Sequence, residues 1–133
     1  MIAKQINISK LSSLIEDLGT AEFAFIFGSA ASGTVKAGSD LDVAVWFMDS
    51  GIVKLDSYID FIGHIEEAFG VRCDLSVLNT ADIVLRHEAL TGKVLYVRPS
   101  SQKLYIEFYT RTCAEYEDLM FWRTRQLAYR GYA

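Results

Sequence analysis

Residues 24–47 begin Ala24-Phe25-Ile26-Phe27-Gly28-Ser29, run through ten further residues, and close on Asp40-Leu41-Asp42-Val43-Ala44-Val45-Trp46-Phe47. Two apolar, β-prone runs thus enclose a Gly/Ser-rich crossover that ends in paired carboxylates. Phe23 to Phe27 has the length and composition of a buried strand, and Gly28-Ser29 falls where that strand ends and a short helix begins. A helix N-terminus presents unpaired N–H groups and the positive end of the macrodipole. Glycine there lets an anion approach with no Cβ in the way. Asp40 and Asp42 stand two apart at the head of the next strand, and a period of two puts both carboxylates on one face of a sheet. Two like charges so placed repel unless a cation sits between them. The stretch predicts a site as well as a core.

Outward from it, Leu11, Leu14, Ile15 and Leu18 recur at helical spacing after Asn7 or Ser9 as caps, and Gly19 stops that helix. The spacing predicts a turn of helix over 29–32, a loop over 33–39, a strand over 41–47 and a connection over 48–54. Asp56 or Ser57 would cap a helix with Ile59, Ile62, Ile65 and Phe69 on its inner face and Asp60, Glu66 and Glu67 in water. Val71 to Leu78 alternates, with Arg72, Asp74 and Ser76 on one face and Cys73, Leu75 and Val77 on the other. Thr80 would cap a helix ending near Gly92, Lys93 to Val97 is a last strand, and a long helix follows from Ser100 to about Ala128, after the chain's one proline, Pro99. Strands alternating with helices predict a single α/β domain over 1–133 with a mixed sheet, helices on one face and the carboxylates on the other.

Composition narrows the function. A chain of 133 residues buries a real core but leaves no room for a second folded unit. Its net charge of −4 and pI near 5.1 argue against a sequence-independent grip on nucleic acid, which needs clustered Lys and Arg. Direct nucleic-acid binding is therefore not expected. Cys73 and Cys113 are too few for a disulfide scaffold or a zinc motif, and no signal peptide precedes the first helix, so the expected compartment is the cytoplasm with reduced thiols. No apolar run approaches the ~20 residues of a membrane span. His64 and His87 lack metal-ligand spacing and read as surface or packing residues.

Gly28-Ser29, ten residues and Asp40-Leu41-Asp42, with Asp74 in Arg72-Cys73-Asp74-Leu75 as a third carboxylate, resemble the signature of minimal nucleotidyltransferases of the DNA polymerase β superfamily. Leu85 to Tyr96 is similar to the helix, glycine and strand that close these domains. The resemblance implies a polymerase β-like nucleotidyltransferase fold, with Asp40 and Asp42 on one strand and Asp74 on its neighbour. It implies that Asp40, Asp42 and Asp74 are catalytic and bind one or two Mg2+ ions, with ATP as substrate, and that Gly28, Ser29 and Ser39 contact the nucleotide. Asp74 would be the general base or a base acting by way of the metal; read from the residues alone, a structural ion pair with Arg72 or Arg86 is the lesser alternative. Many relatives carry arginines soon after the Gly-Ser pair, where this chain has Ala30 and Ser32. Phosphate charge must then be met by metal, Lys36 or an arginine from elsewhere.

The C-terminal helix supplies the remaining signal. Tyr105, Phe108, Tyr109, Thr112, Tyr116 and Leu119 recur at three and four, while Phe121, Trp122 and Tyr129 add rings that one stripe cannot bury. Arg111, Arg123, Arg125 and Arg130 are interleaved with them, an aromatic and arginine composition found at interface hot spots. The chain resembles the antitoxin half of HEPN/MNT toxin–antitoxin pairs, which implies AMP transfer from ATP to a tyrosine of a HEPN ribonuclease, contacted in part through the last helix. Alternative readings are an antitoxin acting by contact alone and a transferase for small molecules.

Overall fold

The computed structural model describes residues 3–48 and 55–131. Asn7 caps α1 (Ile8–Leu18), its side chain accepting from Lys10 N–H at 3.1 Å, and Gly19 ends it with φ +69. β2 (Ala21–Phe27) begins two residues before its predicted start, and a 3-10 turn over Gly28–Ser32 follows it. β4 (Leu41–Phe47) and β6 (Lys93–Val97) have the predicted bounds, whereas β5 is shorter, Cys73–Val77. Unforeseen is a two-stranded ribbon of β1 (Lys4–Gln5) and β3 (Thr34–Val35), within the stretch expected to be loop.

The main sheet has the order β5-β4-β2-β6, parallel between β4 and β5 and antiparallel elsewhere. Central β2 reads Ala-Glu-Phe-Ala-Phe-Ile-Phe because a strand covered on both sides has little use for polar residues. Leu11 and Ile15 of α1 and Phe61 and Ile65 of α2 (Leu55–Phe69) pack on Ala24, Ile26, Val43 and Val45. The opposite face, Phe23, Phe25, Phe27 and Ala44, is not bare as expected. Ala89 of α3 (Ile83–Leu90) and Phe108 of α4 (Gln102–Tyr129) cover it, with Phe108 centred 5.1 Å from Phe23. Three rings in a row on one strand face are too much apolar surface to leave in water.

Three helix expectations are corrected. Asp82, not Thr80, caps α3, accepting from Leu85 N–H at 2.9 Å. Phe61 points inward and meets Phe47 edge-on at 5.5 Å, whereas Ile59 is 58% exposed. Residues 49–54, with Asp49 and most of the predicted 48–54 connection, lie outside the described residues, and α2 is already helical at Leu55, so neither Asp56 nor Ser57 caps it there. The last helix opens with a 3-10 turn over Pro99–Ser101 and runs 28 residues. Its buried residues are Phe108 and Thr112, and everything from Phe121 to Gly131 is exposed. No helix among the described residues is long and apolar enough to cross a membrane.

Candidate active site

Three adjacent strands deliver the candidate residues to one end of the sheet. Phe27, the last residue of β2, pairs with Asp42 on β4, and Asp42 pairs with Asp74 on the parallel β5. Gly28 follows directly, with φ +67, a region costly to any residue with a Cβ. A Cβ on Gly28 would also overlap Asp42 Oδ2 and lie 3.3 Å from its Cγ. Gly28 is therefore fixed twice, by the turn and by the carboxylate lying over it. The 3-10 turn it opens has no side-chain cap, and Ser32 Oγ donates to Ser29 C=O at 3.3 Å.

The strand ends are held in register from behind. Glu66 on α2, expected in water, is half-buried, and its Oε2 accepts from Cys73 N–H at 2.9 Å at the start of β5. At the far end Asn79 clasps Phe47: Phe47 N–H donates to Asn79 Oδ1 at 2.8 Å and Asn79 Nδ2 donates to Phe47 C=O at 3.0 Å. Gly92, between α3 and β6, sits against the end of β2, where a Cβ would lie 2.7 Å from Phe27 Cα and overlap Ile26 C=O. These contacts fix where Phe27, Asp42 and Asp74 stop.

Electrostatics marks Asp42 as the strained member. Its carboxyl is pushed up to about 6 by burial first, then by the charge of Asp74, a hydrogen bond shared with Asp74, and the charges of Asp40 and Glu88. Every one of these raises it, and no neighbouring cation offsets them. The Cys73 thiol is pushed up to about 12, by burial and then by Glu66 and the three aspartates, which keeps it protonated and inert. Adjoining carboxylate oxygens, one admitted by a glycine, fit a hard cation such as Mg2+, which takes one or two carboxylates and fills its remaining positions with water and phosphate oxygens. Among the described residues no three His, Cys, Asp or Glu side chains converge as a complete ligand cage.

The predicted set is thus brought together unevenly. Gly28, Asp42 and Asp74 stand abreast, and Ser29 follows Gly28 on the 3-10 turn. Asp40 is exposed and lines, with Ser39, a separate groove beside the strand ends. Ser39 N–H is already spent on Lys36 C=O at 3.0 Å. Arg86 is not a partner for Asp74: its guanidinium lies over Trp46 at 5.3 Å and Phe108 at 5.9 Å, and donates to Asn79 C=O. His64 bonds within α2 to Asp60 C=O at 2.7 Å, and His87 stacks on Tyr116 at 3.5 Å. Glu88 and Glu66 were missed; both lie on helices whose polar face reads as solvated until the tertiary neighbours are known.

A mixed sheet that presents paired aspartates beside a Gly-Ser turn at its strand ends defines a nucleotidyltransferase. The chain belongs to the family described as "Polymerase beta, Nucleotidyltransferase", which matches residues 9–101. No curated protein matches it in sequence. Among solved structures it is similar to a chain of a toxin–antitoxin complex with AMP-PNP, at 25% identity and a TM-score of 0.70, covering 92% of this chain and 97% of that one. A chain of the MntA–toxin complex with two aspartates replaced by glutamate matches at 24% identity and a TM-score of 0.72, again over 92% and 97%. The complex of a tri-AMPylated Shewanella oneidensis HEPN toxin with MNT antitoxin contains a chain at 22% identity and a TM-score of 0.64, covering 91% and 92%.

Proposed function

We propose that this nucleotidyltransferase is an antitoxin that transfers AMP from ATP to a tyrosine hydroxyl of a cognate HEPN ribonuclease and so silences it. The observation that carries the reading is the pairing of Asp42 with Asp74, Asp42 lying over Gly28, in a chain whose architecture follows, over more than nine-tenths of both chains, that of a chain of a toxin–antitoxin complex holding a non-hydrolysable ATP analogue. The tri-AMPylated HEPN toxin in a further likeness names the kind of acceptor.

In this reading Gly28 and the N–H groups of the turn it opens receive the outer phosphates, and Ser29 adds its hydroxyl. Asp42 and Asp74, with Asp40 beside them, would hold Mg2+. Bound there, Mg2+ supplies charge neutralisation for the phosphates and the departing pyrophosphate. The phenol oxygen attacks the α-phosphorus, the bond to pyrophosphate breaks, and the phenol proton passes to Asp74. A tyrosine with an ordinary pKa of about 10 needs such a base at neutral pH. Positioning and charge supply most of the rate, as they do in phosphoryl transfer.

A second reading, inhibition by contact alone, draws on the projecting end of α4, where Phe121 and Trp122 are 54% and 62% exposed. One experiment separates the two. A sub-stoichiometric amount of this chain, with ATP and Mg2+, is expected to silence the ribonuclease and raise its mass by one or more AMP units, and EDTA prevents both. Inhibition that needs equal amounts, proceeds without ATP and leaves the mass unchanged would replace catalysis by contact.

A further inference from the structure

The Gly-Ser turn lies at the end of β2, on one side of the carboxylate pair. On the other side, where β5 begins, a groove of about 250 Å3 opens between the β1–β3 ribbon, the loop leading to Asp40 and the turn from α2 to β5. Lys4, Lys36 and Arg72 line it against a single carboxylate, Asp40. Such a gathering of cations stands out in a chain of net charge −4. Lys4 is held in place, its Nζ donating to Gly70 C=O at 2.9 Å, and Gly70, with φ +65, has no Cβ to collide with that ammonium. Lys36 and Arg72 are exposed, with their charges open to a ligand. The volume is below the ~300–1,000 Å3 that encloses a whole small molecule, and suits a phosphate with its nearest substituents.

Arg72 precedes Asp74 by two residues on the same run, and its C=O accepts from Leu41 N–H at 2.7 Å, which extends the β4–β5 ladder to the groove. The groove therefore flanks the carboxylates on the β5 side, next to Asp74. We propose that Lys36 and Arg72 bind a phosphate group of the substrates in this groove, taking the place of the arginines absent after Ser29. The inference rests on the transferase reading. Phosphate here has two sources, the triphosphate of the nucleotide or the phosphodiester of an acceptor that already carries AMP.

The test is equilibrium binding of two probes, ATP and the dinucleotide pApA, to the full chain with Mg2+. It compares wild type, the double variant Lys36→Ala/Arg72→Ala and a control, Lys103→Ala, with melting curves for each. Loss of two exposed charge contacts is expected to weaken one probe about 2- to 30-fold, while Lys103→Ala binds as wild type and Arg72→Lys alone keeps most of the affinity. Weakening of ATP alone assigns the groove to the triphosphate. Weakening of pApA alone assigns it to a modified acceptor. Binding of both probes within twofold of wild type in a folded double variant overturns the groove while leaving the transferase intact. A wild type that binds neither probe overturns both.

Discussion

Asp42→Asn should make the metal-free protein more stable at neutral pH even as it removes activity. The carboxyl lies over Gly28 against Asp74 and is pushed from its ordinary 3.8 up to about 6. Below about pH 4 it is protonated in folded and unfolded chains alike and costs nothing. As pH rises through that interval the unfolded chain ionises first, so stability falls, and above about 6 the folded state carries the whole penalty. Taken at face value the shift corresponds to about 3 kcal/mol. The side chain is half open to water, which screens its neighbours, and about 1 kcal/mol is the expected remainder. For a domain of this size that is about 4 °C in Tm.

The assay is a set of melting curves in EDTA at pH 7.5 and pH 4.5. Asparagine keeps the shape and can donate to Asp74, so the variant should melt higher than wild type at pH 7.5 and by a clearly smaller margin at pH 4.5, where only part of the penalty has built up. Mg2+ should then raise the wild type and leave the variant almost unmoved, a readout of metal binding that does not depend on turnover. An equal difference at both pH values, or a variant less stable at pH 7.5, would refute the repulsion argument.

Gly28→Ala should cost about 1–2 kcal/mol through its positive φ alone, and should abolish label transfer from ATP because Asp42 must move; a variant with wild-type activity would show that the close approach is unnecessary. Glu66→Ala removes a charge-assisted bond to the first N–H of β5 and should destabilise by about 1–3 kcal/mol, with faster alkylation of Cys73 as the local sign; unchanged Cys73 reactivity would separate Glu66 from the strand end. Ending the chain after Met120 should leave Tm within about 2 °C and ATP binding intact, since residues 121–131 are exposed, but should weaken capture of the HEPN partner in a pull-down. Retained capture would place the contact elsewhere.

Much of this was legible because the signals were local. Leu41–Phe47 and Lys93–Val97 carry their own bounds in a run of β-prone residues closed by a turn or a proline. The Gly28-Ser29 and Asp40-Leu41-Asp42 spacing carried the family resemblance, which the match over residues 9–101 shows, because few reasons exist to put aspartate inside an apolar strand. What stayed hidden depended on tertiary neighbours. The Lys4–Gln5 and Thr34–Val35 ribbon has too few residues for any period to show. Thr80 and Asp82 are both caps by type, Asp the better of the two, and the placement of Leu85 N–H against Asp82 decides. On helix α2 the expected Ile62, Ile65 and Phe69 do face the core, while Phe61 takes the place given to Ile59 because the ring of Phe47 waits for it. Covering the Phe23-Phe25-Phe27 face needed Phe108, more than eighty residues away in sequence.

The same distinction separates the site from the tail. All seventeen carboxylates precede Leu119, while Arg123, Arg125 and Arg130 follow it with Phe121, Trp122 and Tyr129. Within the tail Arg125 lies 5.4 Å from the Phe121 ring and 6.0 Å from Trp122, so its cation is held by the helix's own aromatics rather than by the sheet. Nothing in the domain's stability requires these rings, since the helix is anchored through Phe108 and Thr112 two turns and more before them. Eleven exposed residues at ~1.5 Å each project about 16 Å. If the proposed function holds, an acidic body with its catalytic pair at the sheet end and a basic aromatic arm pointing away divide the work: the arm would retain the partner while one hydroxyl after another is offered to Asp74.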